Sequence, residues 1–124
     1  MPLVATAHID GSIQLHKGTL NEQSTDMTDK NLRLDFEVVT EFRDHFFPVN
    51  DLAFAKRNPW LASCANDTIV NMFDIEAGQI CRSFLGGHTS LVTKCIFNHQ
   101  ENMVLSIGAD NFLFLWDIRQ NKVV

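Results

Sequence analysis

Ser106, His88 and Asp110 are side chains whose types match a nucleophile, a general base and a group that orients the base. Acyl transfer by a serine hydrolase is the chemistry such a trio would perform. Two features of the sequence weigh against it. Ser106 lies inside the apolar run 103–107, not in the exposed Gly-x-Ser-x-Gly turn that presents a nucleophilic serine. The trio also recurs as Ser63, His45 and Asp67, each 43 residues earlier. A structural device is copied with the unit it holds together, whereas an active site is usually single. The expected role is to satisfy polar groups in a buried turn, each of which costs about 1–3 kcal/mol if left unpaired. The chain is expected not to be an enzyme.

Other chemistries find less support. His8, His16, His45, His88 and His99 show no i, i+4 or Cys/His pairing of metal-ligand spacing, so neither metal nor cofactor is expected. Gly86-Gly87 is too short to cradle a phosphate and reads as a turn. The three cysteines, Cys64, Cys81 and Cys95, form no C-x-x-C pair and read as reduced core residues. Phe46, Phe47 and Trp60 would need a basic groove beside them to stack nucleic-acid bases. Ten Lys and Arg against fifteen Asp and Glu leave a net charge of -5, so direct binding to nucleic acid or to an anionic membrane is not expected. Trp60 reads as packed where a strand begins. A basic peptide is the more natural guest. No apolar stretch approaches the roughly 18 residues of a spanning helix, and residues 1–4 do not open a leader pattern. The expectation is an intracellular, soluble protein of the nucleus and/or cytoplasm.

The elements that must position these residues follow from the repeat. Residues 41–77 laid over 84–120 without a gap give seven identities in 37 positions: His45/His88, Val49/Val92, Phe54/Phe97, Ser63/Ser106, Asp67/Asp110, Asp74/Asp117 and Ile75/Ile118. A third, truncated copy opens the chain, with residues 3–10 over 60–67 and 13–15 over 70–72. Its spacing is enlarged by a polar, acidic stretch, 18–35, expected to be a surface loop. Short runs rich in β-branched and aromatic residues at 48–54, 60–65, 68–75, 91–97, 103–107 and 112–118 predict strands. Asn66-Asp67, Ala77-Gly78, Gly86-Gly87 and 109–111 mark the turns. Pro48 interrupts 41–56, the one stretch that resembles a helix. The fold class is therefore all-β. Runs such as Phe112-Leu113-Phe114-Leu115-Trp116 are apolar on both faces, which predicts small sheets covered on both sides. A stack of sheets with a period of about 40–45 residues describes a β-propeller.

Gly87-His88, Ser106, Asp110 and Trp116-Asp117 resemble the glycine-histidine and tryptophan-aspartate signatures of the WD-repeat family. The resemblance covers nearly the whole chain outside the acidic stretch. It implies four-stranded antiparallel blades, with 36–42 and 80–85 as outer strands and a buried network of His88, Ser106, Asp110 and Trp116. The second copy departs from the pattern: Phe73 replaces the indole, and Asp44-His45 replaces glycine-histidine. In the first copy His16 stands where Trp116 does. Shorter networks are expected there, His45 with Ser63 and Asp67, and Thr6 with Asp10. The chain divides into a partial repeat (1–17), an acidic loop insertion (18–35), a second repeat (36–78) and a third repeat that begins the next outer strand (79–124). About two and a half blades are too few to close a ring, so a piece of a larger propeller is expected, or an array completed by another chain.

The resemblance further implies a non-catalytic interaction scaffold in a multiprotein complex, binding proteins or short peptides at the rim where these turns gather. Asp44, Phe46, Phe47, Asn66, Thr89 and Ser90 are the candidate rim residues, with the phenylalanines as anchors. The repeats are similar to those of propellers in chromatin-modifying, histone-methyltransferase complexes. The alternative is a mitotic-checkpoint or mRNA-export propeller.

Overall fold

The computed structural model of the chain describes residues 2–21, 33–120 and 122–123. Among the described residues eleven strands follow in order: β1 (Leu3–Ala7), β2 (Ile13–Asn21), β3 (Arg33–Phe42), β4 (Val49–Phe54), β5 (Trp60–Ala65), β6 (Val70–Asp74), β7 (Gln79–Phe84), β8 (Val92–Phe97), β9 (Met103–Gly108), β10 (Leu113–Asp117) and β11 (Lys122–Val123). Among the described residues there is no helix. The strands form three antiparallel sheets, β1-β2-β3, β4-β5-β6-β7 and β8-β9-β10-β11, each built from sequence neighbours. The short turns between most of the paired strands keep the chain-entropy cost of these pairings low.

The repeat extends to the irregularities. The ladder slips between Val49 and Asp51 in the second sheet and between Val92 and Lys94 in the third, positions 43 apart. It slips again between Leu15 and His16 and between Met72 and Phe73, which the sequence aligns with each other. Such bulges bend and twist a strand locally, so each sheet carries the same warp and can lie on the next. The turns agree as well. Gly11, Thr68 and Asn111, each following the aspartate of its turn, adopt φ of 91°, 70° and 66°.

Two cores result. Ile13 and Phe42 of the first sheet pack on Val49, Leu61, Ala65 and Phe73 of the second. Ala62, Cys64, Val70, Met72 and Phe84 of the second sheet meet Val92, Cys95, Val104, Trp116 and the flanking Ile118 of the third. The same ring pair recurs in each, Phe42 on Phe73 at 4.4 Å and Phe84 on Trp116 at 5.4 Å between centroids. Trp60 is half-buried at the start of β5 and stacks on Phe97 at 6.3 Å.

Two expectations change. Among the described residues only the second sheet is covered on both faces. Val4, Leu20, Phe36 and Val38 on the first sheet, and Ile96, Ile107 and Leu113 on the third, remain exposed, because a stack of three sheets has two outer faces. The surface loop expected over 18–35 also gives up residues 18–21 and 33–35 to the β2–β3 ladder, where Gly18 pairs with Phe36 and Asn21 with Arg33. Residues 22–32 of that stretch lie outside the described residues.

Candidate functional site

In the third sheet, β9 carries Ser106 and β10 carries Trp116, while the loop after β7 brings His88 over both. Nε2 of His88 lies 2.7 Å from Ser106 Oγ, and the indole N–H of Trp116 donates to the same Oγ at 2.8 Å. Nδ1 of His88 lies 3.0 and 3.2 Å from the two carboxylate oxygens of Asp110. With the ring proton assigned to Nδ1, the chain of donors runs one way, from indole to hydroxyl to imidazole to carboxylate. Asp110 also accepts the backbone N–H groups of Thr89 (2.9 Å) and Phe112 (3.1 Å). Burial pushes its carboxyl up, but these two N–H groups and the His88 ring outweigh burial and hold it below the usual carboxylate range. The network therefore ties the loop 85–91 to the β9–β10 turn through one anion.

Gly87 is required here for space. A Cβ at this position would lie 2.5 Å from the indole of Trp116. Phe114 closes the other side, its ring edge-on to His88 at 4.6 Å.

The second sheet repeats the arrangement with substitutions. His45 Nε2 is 2.6 Å from Ser63 Oγ, and its Nδ1 is 2.8 Å from Asp67 Oδ2. Asp67 accepts the N–H groups of Phe46 (3.3 Å) and Ile69 (3.1 Å). No indole reaches Ser63, because Phe73 occupies that place. Instead Asn71, the counterpart of Phe114, brings Nδ2 to 3.4 Å from His45 Nε2 and accepts Ser83 Oγ at 2.7 Å. The sequence held a signal for Asn71, an amide between Val70 and Met72 at a core position, and none for Ser83.

The first copy differs from expectation. Thr6 and Asp10 form no joint network: Thr6 Oγ1 lies 2.8 Å from His8 Nε2 and 3.1 Å from His16 Nε2, and Asp10 accepts the N–H and O–H of Ser12. Each group finds a partner close in sequence.

Of the rim residues, Phe46 is 78% exposed and Phe47 56%, so neither packs under its loop. Asp44, Asn66 and Thr89 are exposed and Ser90 is half-buried. Asn50 donates to Asn66 Oδ1 (2.7 Å) and to the carbonyl of Val92 (2.8 Å), joining this rim to the next sheet. The β1–β2 turn completes the patch. Gly11 sits so close to the carbonyls of His45 and Phe47 that no side chain fits, and Val49 N–H donates to His8 O at 3.3 Å, which brings the turn that carries Ile9, 84% exposed, against the loop 43–48.

At the opposite ends of the strands, Glu101 is a buried acceptor that the sequence did not single out. It takes the backbone N–H groups of Lys56, Arg57 and Asn58 and the amide of Asn58, at 2.9–3.1 Å. Burial pushes Glu101 up, and these bonds reverse the shift and hold it below the usual range. The third sheet is thereby clamped to the second. Among the described residues no group of three His, Cys, Asp or Glu side chains is placed to hold a metal ion.

As a hydrolytic site the trio has no access. Ser106 and Ser63 are fully buried, so neither hydroxyl is open to a substrate. Comparison with known proteins identifies the repeat. The model of the WD domain, G-beta repeat, matches residues 36–74 and 79–117. The chain is 30% identical over 121 residues to the U5 small nuclear ribonucleoprotein 40 kDa protein of Dictyostelium discoideum, covering 86% of this chain and 34% of the relative. It is 26% identical to the WD repeat domain-containing protein 83 homolog of the same organism (77% of this chain, 30% of the relative). It is 28% identical to the eukaryotic translation initiation factor 3 subunit I of Schizosaccharomyces pombe (63% and 24%). The chain thus spans about a third or less of these relatives. With two family repeats matched over most of its length and the same histidine-serine-aspartate device built twice on equivalent strands, this chain belongs to the WD-repeat family.

Proposed function

We propose that the chain is a non-catalytic interaction scaffold that takes short peptides at the rim formed by Asp44, Phe46, Phe47, Asn66, Thr89 and Ser90. The carrying observation is the pair Phe46 and Phe47, held out into solvent by a loop whose neighbouring His45 is 4% exposed and fixed on both ring nitrogens. Exposed aromatics on an immobilised loop lose little entropy on binding, which is what an anchor requires. Asp44 beside them favours a basic guest. Two of the relatives are named as a ribonucleoprotein protein and as an initiation-factor subunit, which supports a place in a multiprotein complex, nuclear and/or cytoplasmic. Our reading extends to a chromatin-modifying assembly, with a checkpoint or mRNA-export assembly as its rival. In the same reading the units are 1–17, 18–35, 36–78 and 79–124.

Affinity purification with the chain and with Phe46→Ala/Phe47→Ala tests the rim. The variant is expected to lose its bound proteins while melting at the same temperature; full retention removes the rim from consideration, and the identities recovered decide between assemblies. A fluorophosphonate probe addresses catalysis. Labelling of Ser106 would establish the hydrolase instead.

A further inference from the structure

The turns 55–59 and 98–102 lie at the ends of β5 and β9 opposite to the rim, and between them is a cleft of about 370 Å³. Its apolar wall is Ala53 and Phe54 from β4 with Ile96 and Phe97 from β8; Lys56, Arg57 and His99 line the rest. Phe54 is 40% and Ile96 56% exposed, so the wall is open to a guest.

The charge of this cleft is positive, although the chain as a whole carries -5. Its one carboxylate, Glu101, has its oxygens committed to three backbone N–H groups and the Asn58 amide. Lys56 and Arg57 are exposed and make no ion pair among the described residues. Arg57 spends one N–H on His99 Nε2 at 3.4 Å, a long contact that leaves most of the guanidinium unused. The Glu101 clamp fixes the backbone of 56–58 and so the roots of both cations. Cations rooted on a fixed backbone at the edge of an apolar wall match a carboxylate next to an aliphatic side chain.

We propose that this cleft binds an acidic peptide segment, with a carboxylate on Lys56 and Arg57 and a neighbouring aliphatic side chain against Phe54 and Ile96. Two cations over an apolar wall suit a peptide better than a nucleic acid, whose backbone needs a longer basic track. The site is independent of the opposite rim and of its proposed guest.

The test is fluorescence anisotropy of the full chain with a labelled Gly-Asp-Glu-Leu-Asp-Gly peptide. Saturable binding is expected, weakened roughly tenfold when the acids become Asn and Gln, and by a similar factor in Lys56→Gln/Arg57→Gln, which keeps the backbone N–H groups that hold Glu101. Ile96→Ser, or Leu→Ser in the peptide, is expected to lower affinity several-fold. Phe46→Ala/Phe47→Ala should leave binding unchanged. Absence of saturation, equal binding of the uncharged peptide, or undiminished binding by a Lys56→Gln/Arg57→Gln protein that melts normally would overturn the proposal. Tighter binding of an oligouridine, lost in the same variant, would overturn it in favour of a nucleic-acid site.

Discussion

The networks around His45 and His88 do the same task with different parts, and the differences are coupled. In the third sheet Trp116 donates to Ser106 and fills the space above Gly87, where a Cβ would come within 2.5 Å of its ring. In the second sheet the smaller Phe73 stands in that place, and Asp44, with a side chain, stands where glycine does. Loss of the indole donor is accompanied by Asn71, which approaches His45, where the third sheet has the Phe114 ring packed on His88. No buried side-chain polar atom among the described residues is left without a partner in either network. Glycine before the histidine is thus a consequence of tryptophan on the neighbouring strand, and a repeat that gives up one is free to give up the other.

The comparison can be broken most forcefully at the ring. Trp116→Ala removes a fully buried indole and the donor to Ser106, and a loss of about 3–5 kcal/mol in denaturant unfolding is expected; a loss well under 1 kcal/mol would show that the core closes without it. Gly87→Asp forces a side chain into the indole and is expected to cost about 1–3 kcal/mol as overpacking does. In Gly87→Asp/Trp116→Phe, which imports the second sheet's solution, the costs should fall short of their sum by about 1 kcal/mol in a double-mutant cycle, and strict additivity would disprove the coupling. Next comes the turn. Thr68 is β-branched at φ 70°, whereas its counterpart Asn111 tolerates φ 66°, so Thr68→Gly should raise stability by about 1 kcal/mol and Asn111→Gly by less. A comparable gain at both sites would remove the strain argument.

The finest distinction is in pH dependence. The Asp110 carboxyl is held below its usual range, so the unfolded chain binds its proton first as pH falls. Its contribution is complete above the unfolded-state pKa, roughly 3.9, and fades as pH drops through the lower folded-state value. Asp110→Asn should flatten the acid side of the stability profile, measured by denaturant titration between about pH 6 and pH 3. An unchanged slope would mean that the carboxylate is not what binds the loop to the turn.

Much of this fold was legible because its period is. Strands at 60–65 and 91–97 were expected to within a residue, since β-branched runs end at turn residues that tolerate positive φ or cap their own backbone. The histidine, serine and aspartate positions followed from a constant offset, and identical spacing on identical strands brings the same atoms together. The loop expected over 18–35 proves shorter: Gly18, Thr19 and Asp35 look like loop residues, while the largely exposed extension of the β2–β3 ladder accepts them. Asn71 was readable in principle as an amide in an apolar run. Glu101 was not, since a glutamate in a polar turn looks the same whether solvent or a neighbouring sheet satisfies it.

The amino-acid order by itself determined the period, the strands, the turns and the two histidine-serine-aspartate sets, because these depend on residues of one sheet and on the short connections that fold it. Only the packing of sheet on sheet decided that Phe46 and Phe47 are both open to solvent where the Gly11 turn meets their loop, and that Glu101 clamps residues 56–58 at a cationic cleft. Those contacts join residues some 40 positions apart across an interface whose warp is set by the bulges of both sheets, and no local pattern specifies which side chains will meet there.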